Sequence, residues 1–439
     1  MAFESVASLV RCFTQLGAEK IYCKFLAEND NSKQQIYLGE SFEVLKLLNY
    51  GSIRTEHEGK RPNFKASVHL EWVDDLGNCE QALGAQLILY PDYPEVRLSG
   101  FLRGCSLAPS KSLQPVPAGQ RRFNNGRDGR VLFFGVSETK VFASLAVAGS
   151  PLAEEVARKT PPPALLQSAI LRQIPIAAER SSRELLVERL REIIHADVPW
   201  HPSIKLDRKG MAGPYLAKNG GGYTLEALFG IVPNGRSSPD YLGWEIKAYS
   251  SSRVTLMTPE PDAGFYGEHG VEAFLRRYGR KVREETLYFT GAHYVGKCCT
   301  RTGQKLELVG FDSVSGKITD VGGGVRLLDS AGDISAAWTF GGLMDHWGRK
   351  HAAAVYVPYI RSKNPPTEYR YKNPVLLGEG TEFQLFLSAL ASNLIVYDPG
   401  PKLENLNGLR TKTKGRSQFR INVKKLEHLY LKFGTMNIE

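Results

Sequence analysis

The stretch PDYLGWEIK, residues 239–247, crowds two carboxylates and an ammonium into a short segment. In an extended strand alternate side chains share a face, so Glu245 and Lys247 project together while Trp244 and Ile246 turn the other way. Grouping those charges is costly unless a divalent cation or a polyanion sits among them. Phosphodiester hydrolysis calls for such a set. The phosphate is anionic and resists attack by water, so catalysis must neutralise developing charge and generate a nucleophile. A hard cation such as Mg2+ does both, taking carboxylate oxygens as ligands while keeping several waters. Asp240 and Glu245 are the expected ligands, with the Ile246 carbonyl as an extra oxygen, and Lys247 is suited to position or help deprotonate the attacking water. A bare ExK on a strand is also the pattern of a solvated face. The apolar Trp244 and Ile246 favour a half-buried strand instead.

The elements around this stretch must position it. Upstream, NGGGYTLEALFG predicts a short helix over TLEALFGI with Thr224 as its cap, carrying Glu226 fourteen residues before Asp240. Glu226 can orient the lysine or hold a second cation. A strand pair is expected next, Asp240 opening the first strand and WEIKAYS forming the second. Further along, DHWGRKH places His346, Lys350 and His351 at helical spacing. They suit either phosphate contact or a helix packed through Trp347. The basic segment GLRTKTKGRSQFRINVKK suits a nucleic-acid surface. Arginine pairs bidentately with guanine, making Arg410, Arg416 and Arg420 candidates for base contacts, whereas Lys412 and Lys414 suit the phosphate backbone. A solvated face is the alternative there.

Bulk properties fit this picture. At 439 residues the chain exceeds one compact core, and its 42% hydrophobic and 23% charged content is that of a globular protein. No apolar run is long enough to span a membrane and the amino end lacks signal-peptide character, so a soluble cytoplasmic protein with no membrane partner is expected. Six cysteines without a CxxC pair argue for free thiols over a zinc site or disulfide framework. The net charge of +10 is uneven: residues 1–160 carry 19 Lys+Arg against 18 Asp+Glu, and the last 39 residues carry 9 against 3. A basic carboxyl end suggests a polyanion partner.

Three consecutive prolines, Pro161 to Pro163, favour an extended spacer, so 151–164 reads as a linker between residues 1–150 and 165–439. Before it, KIYCKFL, QQIYLG, ASVHLEWV, AQLILY, EVRLSGFL, RVLFFGVS and KVFASLAVAG predict short strands of a sandwich or barrel, with one helix near SFEVLKLLNYG capped by Ser41 and stopped by Gly51. After it, helical periodicity over 164–195 gives way to alternating strands and helices, a mixed α/β pattern.

Pro239, Asp240, Glu245 and Lys247 match the PD-(D/E)xK nuclease motif, and GGGYTLEALFG resembles the segment that supplies an extra glutamate in the MutH and MvaI/BcnI branch. LMDHWGRKHAAAVYVP and GRSQFRINVKKLEHLY also resemble MvaI-type restriction endonucleases, over most of residues 165–439. The resemblance implies a restriction-endonuclease-like, MutH-like domain in which Asp240, Glu245, Lys247 and Glu226 are catalytic and Mg2+ is the cofactor. It implies double-stranded DNA as partner, cut at a short GC-rich site of the CCWGG or CCSGG kind. A cognate DNA methyltransferase and a monomeric state also follow from it.

The amino-terminal segment AENDNSKQQIYLGESFEVLKLL, with the basic loop QRRFNNGRDGRVLFF, resembles the B3-like pseudobarrel of EcoRII-type enzymes. Two polar arms would grip the major groove, one carrying Lys33, Gln34 and Gln35, the other Arg121, Arg122, Asn124 and Arg127, with Arg130 close by. The fold expected for the whole chain is thus α+β multidomain, an all-β B3-like domain followed by the nuclease domain. Such a fusion implies a type IIE enzyme, in which a second copy of the site acts as effector. Two rivals stay open: a MutH-like strand-nicking repair enzyme, and a non-catalytic DNA-binding regulator.

Overall fold

The computed structural model describes the chain apart from residues 1–2, 58–60, 93–94, 121–126, 160–169, 177–180, 218, 234–239, 351–352 and 409, and the side chains of Glu43, Arg127, Asp128, Arg349 and Lys350. The chain folds as two compact units, Met1–Glu179 and Arg180–Glu439. Among the described residues no helix is long and apolar enough to cross a membrane.

In the first unit the β-rich runs form strands as their composition predicts. They make two sheets. One runs in the order Arg172–Ile174, Lys20–Ala27, Arg127–Val136, Val141–Ala146, Leu70–Val73, Cys79–Gln81; the other runs Gln35–Gly39, Glu95–Ser99, Gln86–Tyr90, Asn63–Ser67, Ile53–Glu56. Among the described residues the two sheets do not close into a barrel. The run ASVHLEWV divides between them, because the chain leaves one sheet after Ser67 and enters the other at Leu70. The helix expected near SFEVLKLLNYG is only a 3-10 turn, Phe42–Lys46. A helix at Val6–Gln15 opens the unit, capped reciprocally by Ser5 and Ser8, and seats Leu9 and Phe13 in the core.

The expected linker is corrected by the fold. Pro151–Lys159 is helical, with proline tolerated in the first turn, and it buries Leu152, Ala153 and Val156 against the first unit's core. Arg172–Ile174 then adds an antiparallel strand beside Lys20–Ala27. The apolar stripe Leu152, Ala153, Val156 at spacing of one, three and four residues is the signal that the proline run obscured. The boundary lies near residue 179 rather than at 150 or 165, and the predicted helical run ALLQSAI lies outside the described residues except for Ile170.

The second unit is mixed α and β. Its helix Ser182–Ile194 carries a capping box from Ser181 and Glu184 and buries Leu186, Leu190, Ile193 and Ile194. Its main sheet runs His201–Pro202, Glu368–Tyr371, Ala353–Arg361, Val375–Glu379, Lys432–Met436, and Trp244–Tyr249 joins it in parallel alongside Ala353–Arg361. One face of that sheet packs Trp244, Ile246, Val355 and Val357 with Leu225 and Phe229. Smaller sheets, among them Arg253–Met257, Phe419–Asn422 and Ile395–Tyr397, complete the unit.

Candidate active site

Trp244 and Ile246 are 3% and 5% exposed, so the alternation within Trp244–Tyr249 sends Glu245 and Lys247 to the opposite face, as expected. Asp240 arrives by a tight reversal rather than from a full strand. Leu242 and Gly243 both have positive φ, 48° and 88°, and Tyr241 and Trp244 exchange backbone hydrogen bonds of 3.0 and 2.8 Å around them. A two-residue turn with both φ positive matches strand twist, and Gly243 adopts it freely whereas Leu242 does so under strain. The reversal folds Asp240 back along the strand, where its Oδ2 accepts the Ile246 N–H at 3.0 Å.

Glu245 is 3% exposed and its Oε1 accepts from Lys247 Nζ at 2.6 Å. Burial pulls the Lys247 pKa down. The Glu245 carboxylate, with Tyr356 and Asp240 behind it, more than offsets this and holds the ammonium above its ordinary value.

The three glycines before Glu226 are not a loop. They form the first turn of the helix Gly220–Leu228, and Thr224 lies inside it, its hydroxyl bonded to the Ile204 backbone rather than capping. The reason is close approach to the sheet. A Cβ on Gly221 would run into the Tyr359 ring, one on Gly220 into the Tyr369 hydroxyl, and Tyr371 donates to the Gly221 carbonyl at 2.7 Å. The helix is thereby pressed onto the strand next to the catalytic one, and Glu226 lines a cavity of about 260 Å3 together with Lys247, Ser251, Thr255, Tyr359 and Arg420. Of the expected triad, Lys247 thus shares a cavity with the extra glutamate.

Sequence reasoning missed two tyrosines beneath this site. Lys247 lies opposite Tyr356 in the parallel ladder, and the Tyr356 and Tyr430 hydroxyls share a buried 2.7 Å hydrogen bond. Burial pushes Tyr356 up to about 12, with the Tyr430 bond and Lys247 pulling it back. Both residues fall in the two segments singled out for their MvaI-type resemblance, so the signal was present without a role. Removing one hydroxyl strands the other. Tyr430→Phe or Tyr356→Phe is expected to cost about 1–3 kcal/mol in a urea melt, and the double substitution less than the two single costs added together. Strict additivity would count against a shared bond.

Arg420 sits on the strand Phe419–Asn422 and donates to Asp398 Oδ2 at 2.7 Å. It borders both the cavity lined by Glu226 and Lys247 and a neighbouring one of about 610 Å3, which Arg416, Gln418 and Asp398 also line. The two arginines therefore lie beside the site. Asp398 had not been singled out from sequence; its partnership with Arg420 depends on a strand pairing that brings Ile395–Tyr397 alongside Phe419–Asn422. Lys412 and Lys414 lie on an exposed strand of a different sheet, and Arg410 is exposed just before it. Trp347 is 1% exposed and packs its ring 4.9 Å from that of Phe386 at a tilt of 39°, which anchors the helix Phe340–Lys350; the Lys350 side chain and His351 lie outside the described residues.

In the first unit Lys33 and Gln34 are exposed in a loop and Gln35, half-buried, begins the strand Gln35–Gly39; Lys33 and Gln35 line a cavity of about 430 Å3 together with Arg97, Arg172, Tyr37 and a buried Lys24–Asp30 pair. Arg97 and Arg172 are cations that linear proximity to the loop could not reveal. Arg130 is buried instead of facing a groove, donating to the Ser112 and Gln114 carbonyls at 2.8 and 3.0 Å. Arg121, Arg122, Asn124 and the Arg127 side chain lie outside the described residues.

Hard-cation chemistry fits the donor set. Among the described residues no three acidic, His or Cys side chains converge as a metal cluster. Asp240 and Glu245 offer two carboxylates and the Ile246 carbonyl a third oxygen, and Mg2+ habitually takes its remaining positions from water and phosphate.

The family model for the MvaI/BcnI restriction endonuclease family matches residues 187–430, which hold Glu226, Asp240, Glu245, Lys247, Tyr356, Arg420 and Tyr430. Among solved structures, a restriction endonuclease MvaI–cognate DNA substrate complex is 19% identical at a TM-score of 0.46, covering 59% of this chain and 99% of that one. Restriction endonuclease MvaI in the absence of DNA is 16% identical at a TM-score of 0.33, covering 60% and 100%. No curated protein sequence matches the chain. With the family model spanning more than half of its length and enclosing the acidic strand, the lysine and the helix-borne glutamate, this chain belongs to the MvaI/BcnI restriction endonuclease family.

Proposed function

We propose that this endonuclease is a Mg2+-dependent type IIE enzyme that cuts double-stranded DNA at a short GC-rich site of the CCWGG or CCSGG kind. In this reading the first unit binds a second copy of the site as effector, a fusion of the sort known from UbaLAI. The observation that carries the catalytic part is the set Asp240, Glu245 and Lys247 tied together through one strand, Asp240 by the Ile246 N–H and Glu245 by Lys247 Nζ, with Lys247 and Glu226 lining one cavity.

When bound, Mg2+ would supply charge neutralisation at the scissile phosphate and a more acidic attacking water. Asp240 and Glu245 would hold it. Asp240 is pre-placed by the Ile246 N–H, and Glu245 by burial. Lys247, held 2.6 Å from Glu245, would supply positive charge to the attacking water and the phosphate. Glu226 lines the same cavity as Lys247 and would orient it. Arg420 and Arg416 read guanine edges, with Asp398 holding the Arg420 guanidinium in place until DNA arrives. Lys412, Lys414, Arg410 and Lys350 are assigned to DNA contact on chemistry, and Lys33, Gln34 and Gln35 with Arg121, Arg122, Asn124 and Arg127 to the effector. A methyltransferase that protects the host site and a monomeric enzyme belong to the same reading.

Plasmid cleavage in Mg2+ tests it. Linear product is expected; persistent open circles would indicate a nicking enzyme, and unchanged supercoil a binding protein. A plasmid with two sites should be cut faster than one with a single site, because the connecting DNA makes the second encounter intramolecular. Equal rates on the two plasmids would leave the first unit without an effector role.

A further inference from the structure

A four-stranded sheet of the second unit, distinct from the cavity, carries an unbalanced charge. Its strands run Arg280–Arg283, Thr286–Tyr288, Lys402–Glu404, Lys412–Lys414, all antiparallel. The register aligns Arg280, Tyr288, Lys402 and Lys414 in one cross-strand row, and Arg283, Thr286, Glu404 and Lys412 in another. Residues directly opposite share a face, as do residues two apart, so both rows project from the same side. The irregularity between Lys281 and Arg283 is what returns Arg283 to that side.

The other side is apolar at its centre. Leu287 and Leu403 oppose each other there, Leu403 fully buried, and the helix Gly264–Tyr278 packs beneath the sheet. Glu272 of that helix accepts from Thr411 Oγ1 at 3.0 Å and ties down the approach to the last strand. The outer side therefore faces solvent. Every residue of Arg280–Arg283 and Lys412–Lys414 is exposed.

Five cations stand on this face: Arg280, Arg283, Lys402, Lys412 and Lys414. Glu404 is the acid within it. Lys402 contacts Glu404 at 2.5 Å, and Lys402, Lys412 and Lys414 together hold the Glu404 carboxyl below its ordinary range. Glu284 and Glu285 occupy the turn between the first two strands. Some exposed cations elsewhere in the unit are matched, as in Lys305–Glu307, Arg276–Glu272 and Arg277–Asp333. Arg280, Arg283, Lys412 and Lys414 make no ion pair with the described residues. A row of three inter-strand steps spans about 14 Å, the axial length of about four phosphates on one DNA strand.

We propose that this sheet face is a phosphate-binding surface for the DNA backbone, with Arg280, Arg283 and Lys402 joining Lys412 and Lys414, so that the duplex is gripped away from the cleavage cavity. The inference rests on double-stranded DNA being the substrate. Phosphate contacts add affinity and salt dependence without reading sequence.

The test is a salt titration of DNA binding by the full-length chain in Ca2+, on a duplex carrying a cleavable site and on one lacking it. Arg280→Ala with Arg283→Ala, and separately Lys402→Ala with Lys414→Ala, should each lower the slope of log K against log salt by about 2. Each should weaken both duplexes alike. Lys305→Ala with Lys317→Ala, the same charge change on strands outside this sheet, should leave the slope alone. An unchanged slope in both sheet variants, or the same drop in the control pair, overturns the proposal. Cleavage by the unsubstituted chain in Mg2+ is scored separately, so a failed nuclease reading shows there and not in the slope.

Discussion

Asp240→Asn and Glu245→Gln are each expected to lower the single-turnover cleavage rate by about 10³-fold or more, while DNA binding in Ca2+ changes only a few-fold. The two substitutions differ in what else they disturb. Asn at 240 keeps a side-chain oxygen for the Ile246 N–H, which Asp240 Oδ2 accepts at 3.0 Å, so the turn through Leu242 and Gly243 should persist. Gln at 245 removes the charge partner of Lys247, and breaking a largely buried pair costs about 3–5 kcal/mol, less here because Lys247 opens onto the cavity. Glu245→Gln should therefore melt earlier than Asp240→Asn. A folded Asp240→Asn protein that cuts at near the normal rate would remove Asp240 from the chemistry.

Truncation is the second large effect. A fragment of residues 1–150 is expected to be unfolded or aggregated, and one of residues 1–179 to melt cooperatively. The shorter fragment lacks the helix Pro151–Lys159 and the strand Arg172–Ile174, and so leaves uncovered the sites where Leu152, Val156, Leu171 and Ile174 are buried. At about 1.5–3 kcal/mol for each large side chain, the loss is about 6–12 kcal/mol, comparable to the whole stability of a domain. Thermal denaturation followed by circular dichroism separates the two. Equal midpoints for both fragments would mean that the helix and strand add nothing. Residues 180–439 contain Glu226, Asp240, Glu245 and Lys247, and that fragment should retain basal cutting.

The amino-acid sequence by itself nominated the chemistry and determined much of the local structure. Period-two alternation put Trp244 and Ile246 in a core and Glu245 with Lys247 on the other face, because side-chain direction in a strand depends on parity alone. The strands of the first unit were legible for the same local reason. Residue types around Glu226 and along the basic carboxyl end were likewise sufficient to nominate a phosphodiester substrate.

Tertiary structure decided what parity and propensity cannot. The glycines of Gly220–Leu228 resemble a loop until Tyr359 and Tyr369, more than a hundred residues away, demand a helix with no side chains on that face. Tyr356 and Tyr430 became partners through sheet pairing, and so did Arg420 and Asp398. Arg280 joined Lys402 and Lys414 in one row through three antiparallel registers. Pro151–Lys159 belongs to the first unit because a core is there to bury its apolar stripe, an energy that local sequence around a proline run does not contain. Each of these depends on long-range pairing, in which contacts distant along the chain set the geometry once the strands have found their neighbours.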